Sequence, residues 1–191
     1  FATDIYPYYE KIGKAIELNG PWELKFLKGG PELPAAKTLD KLVSWTTFTK
    51  PDYKNFSGTA VYSTSFAVPK SKAVTNWQLD LGKIHESGNV IVNGQEIGTS
   101  ITSPHSLIIK DTLLSESDNI ITIKISNLMA NRIAYMDRNG IQWKKFYNIN
   151  MGATTRSNVG EDGLFSASNW RPLPSGLLGP VKLTPLSYKK K

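Results

Sequence analysis

Short runs of alternating apolar and polar residues limit most strongly what this chain can form. In residues 21–27, Trp22, Leu24 and Phe26 fall on one side of an extended chain, and polar residues fall on the other. A period of two is typical of a half-buried strand. The pattern recurs in residues 58–68, 77–81, 121–125 and 181–184, and residues 107–109 form an apolar run consistent with a buried strand. The sequence therefore predicts a protein built mainly from short strands.

Turn-forming residues separate these runs. Pro, Ser, Asp and Asn cluster at residues 69–71, 103–104 and 115–119, and these residue types favour turns and loops. Long helical periodicity is absent from the sequence, and residues 38–42 are predicted to form one helical turn at most. Regularly spaced short strands separated by turn-forming residues predict an all-β fold, an antiparallel β-sandwich or barrel.

The clearest local prediction is a hairpin at residues 88–98, GNVIVNGQEIG. Asn93 and Gly94 suit a type I′ turn, because both of its central residues need a positive φ. Asn and Gly adopt that conformation at low steric cost. Gly98 permits a bulge or a sharp exit on the return strand. Folding alone explains the hairpin, so we do not expect it to be a binding site.

Length and composition set broad limits. The 191 residues suffice for one domain with a sizeable core. The absence of cysteine excludes disulfides and thiolate metal sites, but does not fix the compartment. No apolar run approaches the ~18 residues of a membrane span, so we expect no membrane-spanning segment. The chain begins at Phe1, which we interpret as a processed product or an excised piece, so the lack of a signal peptide does not bear on export.

The chain is basic, with 23 basic against 16 acidic residues and a net charge of +7. The basic residues are scattered, apart from three lysines at the end. This pattern favours a solvated surface with a frayed tail. The alternative is affinity for a polyanion, either nucleic acid or an acidic polysaccharide. Because the sequence shows neither a concentrated basic face nor a known nucleic-acid-binding module, we expect no nucleic-acid partner.

Residues 126–175 differ from the rest of the chain. They lack clean alternation and are rich in Trp, Tyr, Arg, Asn and Gly. Long connections in compact domains often carry function. We therefore expect any ligand site to lie in this segment.

Several motifs occur in a characteristic order. They are LNGPWEL at 18–24, SWT at 44–46, FSGTAVY at 56–62, LDLG at 79–82, VIVNGQEIG at 90–98, DNIITI at 118–123, ANRI at 130–133 and LPSGLLGPV at 173–181. In this order they resemble the galactose-binding-like β-sandwich of the sugar-binding domains of family 2 glycoside hydrolases. More narrowly, they resemble the C-terminal sandwich of family 106 α-L-rhamnosidases. The resemblance covers roughly residues 18 to 185, and its most specific part combines the SWT, ANRI and SGLLGPV motifs.

The resemblance implies a jelly-roll sandwich in an exported, typically bacterial, polysaccharide-degrading enzyme. In such enzymes the catalytic carboxylates lie in a separate barrel domain, for which this chain has no room. No catalytic residue is therefore carried over. We divide the chain into a connector or edge segment at 1–17, a β-sandwich domain at 18–187 and a basic tail at 188–191. The compartment implied is the periplasm or the cell exterior.

Candidate carbohydrate-binding residues come from the aromatic and polar side chains of the unusual segment. An aromatic ring packs against the apolar face of a pyranose, while Arg and Asn donate hydrogen bonds to hydroxyl groups. For Trp143, Trp170 and Arg171, packing or an interdomain contact is favoured over a sugar contact. Asn131 and Arg132 belong to the ANRI motif, and a role in tying the segment to the sandwich is favoured over ligand binding. The complete candidate set is Trp143, Trp170, Arg171, Asn131, Arg132 and Tyr135.

The remaining chemistry-bearing residues give weaker signals. Glycoside hydrolysis needs two carboxyl groups about 5 to 10 Å apart, and the adjacent pair Glu161 and Asp162 is interpreted first as a polar turn. The alternative for this pair is a cation ligand or an acceptor for sugar hydroxyls. His85 and His105 lack the spacing of a zinc site, and we expect no metal site from side chains and no cofactor. A structural calcium held by backbone carbonyls is left open.

The favoured function is a non-catalytic accessory module of a rhamnosidase-like glycoside hydrolase. Such a module would brace the catalytic domain, bind glycan weakly, or do both. Its expected partners are that catalytic domain and a carbohydrate, either a plant-type or an acidic polysaccharide. Two alternatives are a free-standing lectin or adhesion module and, ranked lower, a glycosidase in its own right.

Overall fold

The computed structural model describes residues 6–144, 155–161 and 163–190. Its strands are β1 (Tyr8–Lys11), β2 (Ile16–Glu17), β3 (Trp22–Gly30), β4 (Lys37–Leu39), β5 (Ser57–Phe66), β6 (Asn76–Asp80), β7 (Lys83–His85), β8 (Ser87–Val92), β9 (Gln95–Ser100), β10 (Ser106–Lys110), β11 (Asn119–Ser126), β12 (Gly176–Gly179) and β13 (Lys182–Lys189). Its α-helices are α1 (Pro51–Asn55) and α2 (Ala130–Arg138), and short 3₁₀ turns span Trp45–Thr47, Asp111–Leu113 and Arg156–Asn158.

These strands form a β-sandwich. A six-stranded sheet has the order β4-β3-β5-β11-β8-β9, and a five-stranded sheet has the order β1-β13-β6-β10, with β2 also paired to β13. Strands β7 and β12 form a small third sheet, and the strand pairs of all three sheets are antiparallel. The predicted all-β fold, an antiparallel sandwich of the jelly-roll type, is confirmed.

The alternating residues supply the core. In β5 and β11, every second side chain is buried, as the period of two predicts. Trp22 and Trp77 are fully buried, one from each large sheet. Trp45 is also fully buried and lies edge-on to Phe56, with ring centroids 5.8 Å apart. All three tryptophans therefore belong to the core between the sheets.

The predicted hairpin connects β8 to β9. Asn93 has φ 50° and Gly94 has φ 80°, as a type I′ turn requires. Val90 pairs with Gly98 but Ile91 pairs with Glu96, so Ile97 is the extra residue of a bulge beside Gly98, and the predicted bulge is confirmed. The Asn93 side chain also accepts a hydrogen bond from the Ile120 backbone N–H at 2.8 Å and donates to the Leu113 carbonyl at 2.8 Å. This side chain anchors the turn to its surroundings, a role that turn propensity does not predict.

Residues 38–42, predicted to form one helical turn at most, form none, because Lys37–Leu39 pairs with β3 and Leu39 becomes buried opposite Trp22. Tertiary pairing here overrides a weak local preference. The segment at 126–175, read as a loop, contains the nine-residue helix α2. Only Asn131 and Ala134 of this helix are buried, so its inner face lacks the large apolar residues that reveal a helix in a sequence.

The two ends of the chain pair with each other. Strands β1 and β2, within the segment predicted as a connector or edge, both pair with β13. Tyr188 and Lys189, within the segment predicted as a tail, lie opposite Tyr9 and Tyr8. Among the residues that the model describes, no helix is long and apolar enough to cross a membrane.

Candidate functional site

Side chains at the end of helix α2 hold the described part of residues 126–175 in place. The Asp137 side chain at its end is largely buried, with 9% of its surface exposed. Its carboxylate accepts hydrogen bonds from the Ala167 backbone N–H at 2.7 Å and from the Trp143 indole N–H. The Lys144 ammonium lies 3.9 Å from the same carboxylate and donates to the Phe165 carbonyl. One carboxylate therefore holds two stretches of loop against the helix.

Arg138, the next residue of α2, adds a second clamp. Its guanidinium donates to the Ser168 and Trp170 carbonyls at 3.4 Å each, and to the Asn55 side chain at 3.1 Å. The loop that carries Trp170 is thereby fastened both to α2 and to the end of α1.

Trp170 and Arg171 lie together at a surface depression of about 490 Å³. We call it the Trp170 depression; its lining residues are Ser157, Asn158, Asn169, Trp170, Arg171 and Leu173. The Trp170 indole N–H donates to the Asn158 side chain at 2.9 Å, and Phe165 packs edge-on to the indole with ring centroids 5.8 Å apart. Both contacts fix the ring in place, while Arg171 and Leu173 are exposed.

This lining suits a ligand with both apolar and hydroxyl surfaces. A volume near 490 Å³ lies in the range typical of small-ligand sites, roughly 300 to 1,000 Å³. The indole and Leu173 supply apolar contact, and the guanidinium and two amides supply hydrogen-bonding groups. Chemically, the depression can stack on a ring and bind neighbouring hydroxyl or carboxylate groups.

The other candidate residues do not line the Trp170 depression. Trp143 is half-buried and serves as a donor to Asp137, with the Lys144 ammonium 5.7 Å from its ring centre. Arg132 donates its backbone N–H to the Ser57 hydroxyl at 3.1 Å, and its guanidinium packs against Gly30. Tyr135 is half-buried on α2. The structure thus brings Trp170 and Arg171 together and places these three residues elsewhere.

Asn131 lies behind the depression, as a structural clamp. It is 3% exposed. Its amide donates to the Leu173 carbonyl at 3.0 Å and accepts from the Leu173 N–H at 2.8 Å. It also reaches the Ser175 hydroxyl at 3.3 Å. These bonds tie the end of the segment to the sandwich, which is the role that the sequence favoured for this residue.

The weaker candidates lie apart. Glu161 is exposed, and Asp162 lies outside the described residues. The His85 imidazole lies 3.6 Å from the Glu86 carboxylate, and that of His105 is 3.0 Å from the Ser100 hydroxyl. Within residues 6–144, 155–161 and 163–190, the structure places no three His, Asp or Glu side chains together as metal ligands.

Sequence reasoning missed several residues that shape the depression. Asn158, Phe165, Asp137 and Arg138 each contact the Trp170 loop directly. The only sequence signal was the polar DRNG stretch at 137–140, which reads equally well as a turn.

The chain matches no protein-family model. Among curated proteins, it is similar to a Formosa agariphila protein assigned as a β-glucuronidase. The two are 30% identical over 194 residues, and the alignment covers 94% of this chain but 16% of that protein.

Among solved structures, the chain is similar to a rhamnosidase from Novosphingobium sp. PP1Y. The match has a TM-score of 0.69 and 27% identity, and covers 93% of this chain and 15% of the rhamnosidase. This chain has the sugar-binding β-sandwich fold of glycoside hydrolases. The predicted resemblance to that sandwich is therefore confirmed.

The same sandwich fold occurs in a β-glucuronidase of Ruminococcus gnavus. That match has a TM-score of 0.56 and 19% identity, and covers 92% of this chain and 30% of the enzyme. The sandwich thus spans between 15% and 30% of the length of these three relatives. The region that matches this chain is therefore a small part of each of these three proteins.

Proposed function

We propose that this chain is a non-catalytic accessory module of a larger, polysaccharide-degrading glycoside hydrolase of the α-L-rhamnosidase-like kind. Its role is to brace the catalytic domain and to bind glycan weakly through the Trp170 depression. A polysaccharide substrate would place the parent enzyme in the periplasm or outside the cell.

The observation that carries the binding role is the fixed indole of Trp170 beside the exposed guanidinium of Arg171. The Asn158 hydrogen bond and the Phe165 contact hold the ring in place before any ligand arrives. Ordering a side chain on binding costs about 0.5 to 1.5 kcal/mol, so a ring that is already fixed avoids part of that cost. The same loop is held by Asp137 and Arg138, which supports a preformed site.

The small size of the sandwich, relative to the proteins that it resembles, supports the bracing role. The sandwich is similar to segments that make up 15% and 16% of two much longer proteins. Leu128 and Met129, just before α2, are 53% and 47% exposed, and apolar side chains of this kind suit contact with another domain.

The two alternatives predict different behaviour. A free-standing lectin would bind glycan as an isolated chain with an affinity sufficient for adhesion. A glycosidase would need two carboxyl groups converging about 5 to 10 Å apart, whereas the described lining of the Trp170 depression offers stacking and hydrogen-bonding groups.

Calorimetric titration with neutral and acidic plant oligosaccharides tests the binding role. We expect millimolar affinity for at least one of them. Trp170→Ala should weaken that binding about tenfold or more, which corresponds to ~1.4 kcal/mol. Arg171→Ala should weaken it less, and Arg156→Ala serves as a matched control because Arg156 is exposed and does not line the depression.

The outcomes separate the roles. Loss of binding in Trp170→Ala and Arg171→Ala, with Arg156→Ala unchanged, supports the proposal. If the unmodified chain binds no oligosaccharide at millimolar concentration, the binding role is wrong and bracing alone remains. Equal losses in all three variants would also contradict the depression as the site.

A further inference from the structure

The outer face of the five-stranded sheet is a second surface with unusual composition. In this sheet Leu79, Trp77 and Ile109 are buried and point inward. Side chains one position along each strand point outward, because successive residues of a strand alternate between faces. Leu186 is the most buried member of the outward set, at 2% exposed. The set consists of Tyr9, Lys11, Glu17, Asn76, Gln78, Asp80, Ser106, Ile108, Lys110, Lys182, Thr184, Leu186 and Tyr188.

An aromatic pair stands at one end of this face. Tyr9 and Tyr188 lie directly opposite each other in β1 and β13. Their ring centroids are 5.5 Å apart, and their planes meet at 59°. Tyr9 is 45% exposed and Tyr188 is 40% exposed. Nearly half of each ring therefore remains available for contact with a ligand.

Polar side chains continue the face beyond the tyrosines. Asn76 lies across from Leu186, and Gln78 lies across from Thr184. Both amides are half-buried, and neither makes a side-chain hydrogen bond to another described residue. Thr184, which lies across from Gln78, is four residues from Tyr188 along β13, a distance of about 13 Å. The result is an elongated strip with an aromatic end and free amides along it.

Two lysines flank the strip. Lys11 lies across from Leu186 on one side, and Lys110 lies across from Asn76 on the other. Both are exposed. Their ammonium groups give the row of Leu186 a positive charge on both sides, which favours an anionic ligand there. The carboxylates of this face, Asp80 and Glu17, lie on either side of Lys182, four residues away along β13.

We propose that the outer face of the five-stranded sheet binds a chain of an acidic, uronate-containing polysaccharide. The tyrosine pair contacts the apolar faces of the sugar rings, and the two amides hydrogen-bond their hydroxyl groups. Lys11 and Lys110 pair with the carboxylates. The length of the strip suits several linked sugars rather than one.

This site is separate from the Trp170 depression and does not depend on it. Tyr9 and Tyr188 belong to β1 and β13, whereas the depression is lined by residues 157–173. Variants at one site therefore leave the other intact, so the failure of one proposal is distinguishable from the failure of the other.

The chain itself offers a matched control. Tyr8 is the neighbour of Tyr9 in the same edge strand and is 46% exposed. It lies opposite Lys189 and points to the other face of the strand. Tyr8→Ala therefore removes the same side chain, at the same exposure, without touching the strip.

Titration with a purified oligogalacturonate tests the proposal, with its fully methyl-esterified form as the uncharged comparison. In a Trp170→Ala background, which removes any contribution from the depression, we expect Tyr9→Ala and Tyr188→Ala to weaken binding at least about fivefold. In the same background, Tyr8→Ala should leave binding unchanged. Lys11→Gln with Lys110→Gln should weaken binding of the acid but not of the ester. Far-ultraviolet circular dichroism of each variant verifies that the strands remain formed.

Three results would overturn the proposal. One is the absence of oligogalacturonate binding at millimolar concentration. Another is an equal loss in Tyr8→Ala and Tyr9→Ala. The third is sedimentation showing that the chain dimerises and that Tyr9→Ala makes it monomeric, which would identify the face as an interface between two copies.

Discussion

Asn131 and Leu173 exchange two hydrogen bonds, with the amide donating to the Leu173 carbonyl at 3.0 Å and accepting from its N–H at 2.8 Å. Asn131 is almost fully buried on α2, whereas Leu173 is 46% exposed at the Trp170 depression. The pair therefore connects the packed interior of the sandwich to the surface that we propose as its binding site.

Removing this amide should lower stability substantially. In Asn131→Ala, the part-buried Leu173 N–H and carbonyl lose their partner, and each lost hydrogen bond costs about 0.5 to 1.5 kcal/mol. We expect the free energy of unfolding in urea to fall by about 1 to 3 kcal/mol. Asn139→Ala, at the exposed end of the same helix, should cost less than about 1 kcal/mol. Equal losses in the two variants would contradict the clamp role.

A methyl group at Gly176 should be poorly tolerated. Gly176 has φ +106°, and an added Cβ would lie 2.3 Å from the Tyr62 hydroxyl and 2.8 Å from the Trp45 ring. We expect Gly176→Ala to lower the free energy of unfolding by about 3 kcal/mol or more, from strain and overpacking together. Gly140→Ala provides the control, because its φ is +63° but nothing lies within 4 Å. In that variant the free energy of unfolding should fall only by the cost of placing a side chain at a positive φ, about 1 to 2 kcal/mol.

Tyr62 should make stability depend on alkaline pH. Burial raises the pKa of its phenol above the usual value of about 10. Because the pKa of the folded state exceeds that of the unfolded state, the stabilisation is complete below pH ~10 and decreases as the pH rises above it. Urea unfolding at pH 9 and pH 11 should show this decrease, with a slope of up to ~1.4 kcal/mol per pH unit. In Tyr62→Phe, the free energy of unfolding should decrease less between pH 9 and pH 11. If it decreases as much in this variant as in the unmodified chain, Tyr62 is not the cause.

Asp137 should control the order of the depression more than the stability of the core. Its carboxylate holds the Ala167 N–H and the Trp143 indole, but it lies outside the buried cluster between the sheets. In Asp137→Ala, we expect amide hydrogen exchange to accelerate across residues 165–170 and to stay slow in β5 and β11. Acceleration of similar size in those central strands would mean that Asp137 supports the whole fold instead.

The sequence predicted the sandwich well because its signals are local. Alternation places Trp22 and Trp77 in the core, and Asn93 with Gly94 sets the turn of a hairpin. Each of these features depends on neighbouring residues in the chain. The strand pairing of Lys37–Leu39 depends instead on β3, and this distant partner leaves no trace in the local pattern.

The candidate site was harder to predict for the same reason. Trp170 and Arg171 stood out by residue type, but the depression also needs Asn158, Asp137 and Arg138, which come from separate stretches of the chain. Helix α2 was missed because its buried positions are Asn131 and Ala134. The composition of residues 126–175 predicts a site in that segment, but it does not predict which of its side chains come together.

The most direct test of the central claim is an activity measurement on this chain alone. The chain is incubated at high concentration with an aryl α-L-rhamnoside and with an aryl β-glucuronide, and release of the coloured leaving group is measured. The accessory-module account predicts release no faster than in buffer, because the chain serves as scaffold and recognition surface. Turnover that persists through repurification and is abolished by Glu161→Gln would contradict that account and establish a glycosidase.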